Sequence, residues 1–394
     1  MIIMKIFFAI LIVICIIFYI MYLWDFALVL LITVIAVPIV MLISVLIARK
    51  SIDIEFAVKN DTALKKEDFS VQLGVTNRSI FPIGKAEAYI EYSNLFSNEV
   101  NDFSLLMPIQ SRNSQNISFR LSSKYCGIVQ IKCEYINIYD PLRIFRFKVG
   151  KNISTEVIVM PEGYEINGHV CSTDRVNEES NTFSEYKPGD DPSEIFDLRG
   201  YNQGDKLNRI HWKLSSKRDE FIVKDYSLPI DIPCMLFLNL QVGLEYRLPL
   251  YDTLIETLVS VSQFMLENER IHTIVYYNAK ANAFIEKNIS NTDNLAETIH
   301  EIILSSGENA VYQSPVDYLS ENNDLSMSSF VCIMANPDRK LLEYIGENVD
   351  ADIKNAVVAV TSPKEAENIT GFSDINVIPV LIGRITSSIK DIEL

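Results

Sequence analysis

The segment from Arg199 to Tyr226 holds the densest group of side chains that could do chemistry in this 394-residue sequence. It contains one histidine and one tryptophan, and it is locally basic in a chain whose formal net charge is −16. Its charged residues are the bases Arg199, Lys206, Arg209, Lys213, Lys217, Arg218 and Lys224 and the acids Asp205, Asp219, Glu220 and Asp225. Such side chains could supply a general base, or a cationic face for phosphate, an anionic lipid headgroup or an acidic protein.

His211 is the residue of this segment that could act as a general base, with Asp205 or Asp225 within reach. A single histidine on a helix face beside a tryptophan is more often packed and hydrogen-bonded within the fold. Ser215 and Ser216 could be nucleophiles, but no elbow motif or triad spacing surrounds them. The sequence therefore favours a protein that is not an enzyme, and an enzyme with a site near Asp205, His211 and Asp225 remains the alternative.

The same residues also predict local structure. Gly204 and Asp205 indicate a turn into a short helix, and Asp205 is suited to be its N-cap because a carboxylate can accept from free first-turn amides. One face of that helix is predicted to carry Leu207, Ile210, His211 and Leu214. Arg199 is expected to pair with Asp205 and to fix the turn. The predicted order is strand, turn, short helix, strand.

Two long apolar runs open the sequence, Ile6 to Trp24 with 19 residues and Phe26 to Ala48 with 23. A bilayer core about 30 Å thick takes roughly 20 helical residues, so the runs predict two membrane spans with a tight turn at Asp25. A cleaved signal peptide is the rival interpretation. The first run is too long for one, and no small-residue cleavage site follows it.

Basic residues flank the two runs at their outer ends: Lys5, Arg49 and Lys50. Positive charge is retained on the cytoplasmic side of a membrane. We therefore expect a two-span protein of the cell membrane whose soluble part, after residue 50, is cytoplasmic.

Residues 51–160 alternate apolar and polar side chains with a period of two. The clearest segments are 52–58, 69–76, 85–92, 117–121, 129–135 and 145–149. Short alternating segments separated by polar turns predict an antiparallel β-sandwich. No group of reactive side chains lies here, so we expect a spacer or docking domain.

Residues 231–394 alternate strand-like and helical patterns. The strand-like segments are 234–240, 271–277, 330–334, 356–360 and 377–382. This order predicts an α/β domain with a mostly parallel sheet. The sequence is therefore expected to form a multi-domain protein with a transmembrane hairpin (1–50), a β-sandwich (51–160), a linker with the charged segment (161–230) and an α/β domain (231–394).

Composition excludes several classes of function. The acidity of the chain argues against nucleic-acid binding as its main role. The six cysteines show no CxxC or metal-ligand spacing, so neither a disulfide framework nor a structural zinc is expected. Neither GxGxxG nor a Walker A motif is present, so no nucleotide cofactor is expected.

Many positions of the charged segment also form a recognisable pattern. They read Asp197-Leu-Arg199-x-Tyr201-x-x-Gly204-Asp205-x-x-x-Arg209-Ile210-His211-Trp212-Lys213-x-Ser215-x-Lys217, followed by Val223-Lys224. This pattern resembles the signature of the bacterial "domain of unknown function 58" family. The layout is also similar, with a two-span hairpin, a β-rich domain, the signature and an α/β domain resembling von Willebrand factor type A.

The resemblance implies a membrane-anchored partner of a MoxR-type AAA+ ATPase and of a transglutaminase-like membrane protein. Its signature positions are the candidate binding residues Arg199, Tyr201, Gly204, Asp205, Arg209, His211, Trp212, Lys213, Lys217 and Lys224. The function expected is that of a scaffold or adaptor in the assembly or maturation of envelope or other protein complexes.

Von Willebrand type A domains often bind Mg²⁺ through Asp-x-Ser-x-Ser after their first strand. The corresponding positions in this sequence are Asn239, Gln241 and Gly243. A hard cation requires anionic oxygen ligands, so no metal or other cofactor is expected. A metal-dependent binding module with a degenerate site remains a further alternative.

Overall fold

The computed structural model describes residues 2–22, 25–97, 99–169, 183–189, 191–202, 204–229, 234–243, 246–306, 312–322, 326–335, 339–369, 372, 374–389 and 392–394. The predicted linker residues 170–182, together with Trp24, lie outside this part of the chain. The chain packs as two compact units, and the boundary between them falls between Glu162 and Gly163.

The first unit begins with two helices, α1 (Ile2–Tyr22) and α2 (Asp25–Lys50), which contact each other. Both are long and apolar enough to cross a membrane. Their apolar side chains are mostly left uncovered by protein, as at Ile6 and Ile10. A helix satisfies its own backbone hydrogen bonds and can therefore expose such side chains to lipid.

The rest of the first unit is built from strands. They are β1 (Ile52–Val58), β2 (Thr62–Leu64), β3 (Phe69–Asn77), β4 (Ile83–Asn94), β5 (Asn101–Ile109), β6 (Asn113–Leu121), β7 (Gly127–Tyr139) and β8 (Arg146–Met160). One sheet has the order β1-β3-β6 and the other β2-β8-β7-β4-β5. All pairs are antiparallel except β2 with β8, which is parallel, so the sequence prediction of a wholly antiparallel arrangement is wrong at that edge.

One hydrophobic core joins these two sheets. The alternating residues Val71, Leu73 and Val75 of β3 are fully buried, and Ile131 and Ile136 of β7 lie in the same core. The period of two in the sequence therefore sorts each strand into a core face and a solvent face.

The last turn of α2 belongs to that core as well. Val45 and Ala48 are buried in it beside Ile52, and the amide of Ser51 donates to the carbonyl of Ala48 at 2.9 Å. The apolar helix thus passes into the first strand without a free linker. Packing of this kind fixes the direction of the helix relative to the two sheets of its own unit.

The second unit contains the remaining helices and strands. They are β9 (Gly168–His169), β10 (Phe183–Gly189), β11 (Asp191–Gly200), α3 (Trp212–Arg218), β12 (Ile222–Pro229), β13 (Cys234–Leu238), α4 (Arg247–Glu267), β14 (His272–Asn278), β15 (Ala283–Ile289), α5 (Thr292–Ser305), α6 (Pro315–Glu321), β16 (Ser326–Ala335), α7 (Arg339–Asn348), β17 (Asp350–Val360), α8 (Pro363–Asn368), β18 (Asn376–Leu381), α9 (Ile385–Ser388) and β19 (Ile392–Glu393).

A six-stranded sheet forms the centre of this unit, in the order β15-β14-β13-β16-β17-β18. Its neighbours are parallel except for the hairpin of β14 and β15. This agrees with the mostly parallel sheet that the sequence predicts. Strand β13 is buried at every position, and α4 is buried continuously from Leu250 to Ser262.

Residues 392–394, the last that the structure describes, pack against other parts of the second unit. Strand β19 pairs in parallel with β9, and the buried Leu394 donates its amide to the carbonyl of His169 at 2.9 Å. The side-chain amide of Asn355, itself fully buried, donates to the carbonyl of Glu393 at 2.6 Å. The residues from Ile392 to Leu394 are therefore part of the packed structure of this unit.

Candidate binding surface on the Arg199–Tyr226 segment

The charged segment is built on a three-stranded antiparallel sheet with the order β10-β12-β11. In its register Arg199 lies opposite Val223, and Asp225 is two residues further along β12. Residues two apart on a strand point to the same face, so Arg199 and Asp225 are diagonal neighbours. The amide of Tyr201 donates to the carbonyl of Phe221 at 2.8 Å and extends this frame into the turn.

Arg199 binds two carboxylates at once. Its Nη1 and Nη2 each donate to one oxygen of Asp205 at 2.8 Å, and its Nε donates to Asp225 at 2.8 Å. The expected ion pair between Arg199 and Asp205 is thus present, and Asp225 is a second partner. The Arg199 guanidinium, with help from the Asn202 amide, lowers the pKa of Asp205 to about 2. Both hydrogen-bonding edges of the guanidinium are occupied within the fold.

The N-cap prediction for Asp205 is wrong. Besides Arg199, its carboxylate accepts from the amide of Asn202 at 2.7 Å, so its oxygens bind the turn itself. A short 3-10 helix, Leu207–Arg209, follows Lys206 without a side-chain cap. Gly204 has a φ of +117°, which side chains other than hydrogen rarely allow, so the predicted turn does require glycine.

The prediction of one continuous helical face is also wrong. Ile210 is extended, with ψ at 128°, and forms a bridge to Val223 of β12. This bridge ends the 3-10 helix and buries Ile210, while Leu207 is left exposed. A second helix, α3, then starts at Trp212. The period of 3.6 residues is interrupted because Ile210 joins the sheet.

His211 and Ser215 have structural partners in this arrangement. His211 is the N-cap of α3, and its Nδ1 accepts from the amide of Leu214 at 3.2 Å. The buried Ser215 hydroxyl donates to the carbonyl of His211 at 3.0 Å and accepts from the amide of Ile222 at 2.9 Å. Arg199 holds both Asp205 and Asp225. The geometry therefore does not assemble these side chains as an acid–base site.

Three aromatic side chains lie together on the outside of the segment. The rings of Trp212 and Phe221 meet edge to face with centroids 6.2 Å apart, and Tyr201 meets Phe221 at 6.3 Å. Trp212 is 62% exposed and Phe221 is 58% exposed. We call these three residues the aromatic surface. Phe221 was not among the residues that the sequence singled out. The sequence feature that could have identified Phe221 is that this large apolar residue directly follows two acidic residues.

Exposed apolar residues are concentrated in this segment and in the end of β11 that leads into it. Of the eleven large apolar side chains exposed beyond Lys50 in the described part of the chain, six lie between residues 195 and 221. They are Ile195, Leu198, Tyr201, Leu207, Trp212 and Phe221. Exposed apolar side chains that occur singly need no explanation, but a contiguous group of them is typical of an interaction site.

The predicted basic residues divide into two groups. Arg199 is bound inside the fold, Arg209 lies over the ring of Tyr226 at 5.5 Å, and Lys224 is half-buried on β12. Lys213 and Lys217 are exposed on α3 beside Trp212. Among the described residues neither lysine has an ion-pair partner. Of the basic candidate binding residues, Lys213 and Lys217 are therefore the ones available to an outside ligand, and the neighbouring Lys206 and Arg218 are exposed as well.

The degenerate metal-ligand positions lie after β13. Asn239 is buried, and its side-chain oxygen accepts from the amide of Gln241 at 3.0 Å. The side-chain amide of Gln241 donates to the carbonyl of Tyr312 at 2.9 Å. Gly243 offers no side-chain ligand, and the described residues contain no group of three or more His, Cys, Asp or Glu that could hold a metal ion.

Comparison with known proteins gives weak likenesses. No family model and no curated protein matches the chain. Among solved structures, a CARDB domain from Pyrococcus furiosus is 9% identical with a TM-score of 0.22 and aligns over 27% of this chain and 91% of its own. The alkylpurine DNA glycosylase AlkC of Pseudomonas fluorescens is 12% identical with a TM-score of 0.21, over 28% of this chain and 30% of its own. A cohesin module from Clostridium perfringens is 15% identical with a TM-score of 0.21, over 28% and 98%. Likenesses this weak carry no argument about fold or activity.

Proposed function

We propose that the chain is a membrane-anchored adaptor that binds a partner protein through the Arg199–Tyr226 segment. The partner is a MoxR-type AAA+ ATPase, and the process is the assembly or maturation of envelope or other protein complexes. In this proposal the chain belongs to the "domain of unknown function 58" family and both soluble units are cytoplasmic. Its α/β part is a von Willebrand type A-like domain, an assignment supported by the mostly parallel sheet of β13 to β18.

The observation that carries the proposal is the concentration of exposed apolar side chains in and directly before the Arg199–Tyr226 segment. Of the eleven large apolar side chains exposed beyond Lys50 in the described part of the chain, six lie between residues 195 and 221, four of them inside the segment. The two acids that suggested catalysis with His211, Asp205 and Asp225, are bound by Arg199 instead. A surface in which the charges build the frame and the aromatic rings face outward is suited to protein recognition, since Trp, Tyr and Arg are enriched where partners bind.

Recovery of the partner from native membranes tests this function. The full chain is purified under mild detergent and the ATPase is identified by mass spectrometry. Trp212→Ala should reduce ATPase recovery at least about tenfold, since a central aromatic anchor contributes most of the affinity of many interfaces. Tyr246→Ala is the matched control, because Tyr246 is exposed to a similar extent and lies outside the segment. No ATPase in the wild-type preparation, or equal recovery with both variants, would reject the proposal.

The side of the membrane requires a separate test. The chain is expressed with Cys171→Ser and Lys280→Cys, because Lys280 is exposed in the turn between β14 and β15 and the five described cysteines are buried. A membrane-impermeant maleimide should label the variant only after the cells are opened. Labelling of intact cells would place the second unit outside and would exclude a cytoplasmic ATPase as its partner.

A further inference from the structure

We infer that the aromatic surface, together with Lys213 and Lys217, binds an acidic segment of a partner protein that carries a bulky apolar side chain. This inference rests on the proposed function, because it names the chemistry of the partner at the same site. The inference requires three things: an apolar anchor point, free cations beside that anchor point, and a physical reason why a protein would bind there in preference to a lipid surface.

The anchor point is the angle between Trp212 and Phe221. Their rings are perpendicular, with an interplanar angle of 90°, so they form two walls of a corner. Both rings are more than half exposed. An aliphatic or aromatic side chain placed against them would cover apolar area that water now contacts, which is favourable.

The positions of the cations follow from the helical geometry of α3. Ser215 is buried and Leu214 is half-buried, so the opposite side of the helix faces solvent. That side carries Trp212, Lys213 and Lys217. The two lysines are one turn apart, about 6 Å along the axis. Two carboxylates on adjacent turns of a helix, or on alternate residues of an extended peptide, would match this spacing.

Charge distribution favours a protein over a membrane surface. Asp219 and Glu220 are exposed directly before Phe221, so the rim of the surface has mixed charge. Clusters of about 4–8 basic residues next to a membrane are typical of anionic-lipid binding, and the two acids here reduce the positive charge of the surface. A protein segment can instead place its carboxylates near the lysines and keep them away from Asp219.

The surface is also held in place before any partner binds. The turn that follows Tyr201 is fixed by the ion pair between Arg199 and Asp205. The hydroxyl of Ser215 on α3 accepts a hydrogen bond from the amide of Ile222 on β12 and so joins the two elements. A rigid surface loses little conformational entropy when it binds a partner.

Fluorescence of Trp212 provides the test. The full chain with Trp24→Phe is placed in phosphatidylcholine nanodiscs, so that Trp212 is its one remaining tryptophan. The probe is a short Glu-rich peptide with one central Leu and no aromatic residue. Two control peptides replace the Leu by Ser, or every Glu by Lys. We expect a saturable blue shift of Trp212 emission with the probe alone, with Kd on the order of 100 μM.

Variants of the protein locate the interaction. Lys213→Glu with Lys217→Glu should weaken the probe at least about tenfold, because two attractive charges become repulsive. Phe221→Ala should weaken it to a similar extent by removing one wall of the corner. Lys364→Glu is the matched control, since Lys364 is an exposed lysine of α8 far along the chain, and it should leave binding unchanged.

Three results would overturn the inference. They are no saturable shift with the Glu-rich probe, equal shifts with the Glu and Lys peptides, or a blue shift caused by phosphatidylglycerol nanodiscs without peptide. ATPase recovery separates the two proposals. If recovery depends on Trp212 while the probe fails, only the acidic chemistry is wrong. If the probe binds while ATPase recovery is the same with and without Trp212→Ala, the proposed function is wrong.

Discussion

The guanidinium of Arg199 donates two parallel hydrogen bonds of 2.8 Å to the carboxylate of Asp205. The two residues are six positions apart, and their contact closes the turn that carries Gly204. A fork of this geometry matches a carboxylate in both distance and direction, which an ammonium group cannot do. The most conspicuous charged pair of the sequence therefore holds the turn, and the proposed binding surface is formed by its neighbours.

Arg199→Lys should open this turn. Lysine keeps the charge but cannot bind Asp205 and Asp225 simultaneously with the same geometry. Limited proteolysis with trypsin should then cut after Lys206 or Arg209 on the order of ten times faster, the effect of losing a charge-assisted hydrogen bond. The products are read by mass spectrometry on the full chain in detergent.

The control for this change is Arg339→Lys. Arg339 pairs with Glu343 on α7 at 3.2 Å, and both side chains are largely exposed. Exposed pairs of this kind contribute little to stability, so cleavage in the Arg199–Tyr226 segment should not change. If Arg199→Lys were cut no faster than this control, the Arg199 ion pair would not be what holds the turn closed.

Ser215→Ala and Ser216→Ala should differ in stability. Ser215 is buried, and its hydroxyl is the acceptor for the amide of Ile222. Alanine leaves that amide without its partner, which costs about 1–3 kcal/mol. Ser216 is exposed, so its loss should cost less than about 0.5 kcal/mol.

Hydrogen exchange at the amides of β12 measures this difference. Faster exchange of Ile222 and Val223 in Ser215→Ala alone would agree with a structural role for the hydroxyl. Equal exchange in both variants would contradict it.

Much of the architecture could be predicted from the sequence because burial of one face of a strand imposes a regular alternation of apolar and polar residues. Strands β1 and β3 alternate apolar and polar residues, and β13 is apolar throughout because it is buried at every position. Strand β5 was missed. Its inward residues include Met107 and Ile109, but Leu106 points outward and is exposed, so apolar residues on both faces hide the period.

The candidate site was predictable in composition but not in geometry. The pairing of Arg199 with Asp205 followed from their types and their closeness in sequence. The second partner, Asp225, depends on the register of β11 with β12, which no local pattern specifies. Ile210 bridges Val223 for the same reason, and this contact breaks the helix and turns Trp212 outward. Pairing between residues distant in the sequence therefore determines the geometry of the segment, which local sequence patterns do not predict.

Trp212→Ala and Ile210→Ala test that distinction between surface and core. Trp212 is mostly exposed, so its truncation should change stability by less than about 0.5 kcal/mol. Ile210 is buried against β12, and its truncation should cost about 2 kcal/mol or more. Thermal unfolding of the full chain provides the comparison. A large loss of stability in Trp212→Ala would mean that the tryptophan supports the fold and is not a free binding surface.

Acid should loosen the second unit through His272. This residue begins β14, is 1% exposed, and its Nε2 lies 2.6 Å from the hydroxyl of Ser262 on α4. Burial lowers the pKa of His272 from 6.5 to about 4, opposed in part by the hydrogen bond to the carbonyl of Arg270. Below pH 6.5 the unfolded chain takes up a proton that the folded chain does not. The contribution to stability is therefore fully present above pH 6.5 and is lost as the pH falls to about 4, by about 3 kcal/mol in total.

Hydrogen exchange of the β14 amides between pH 4 and 7, corrected for the intrinsic rates, should report this loss as a falling free energy of opening. In His272→Gln the slope should flatten across this window, because glutamine does not titrate. The comparison is His300→Gln, a histidine on α5 that is only partly buried, and there the slope should persist. A slope that survives in His272→Gln would assign the acid sensitivity to other groups. A slope that disappears would show that the contact between α4 and β14 depends on a neutral imidazole.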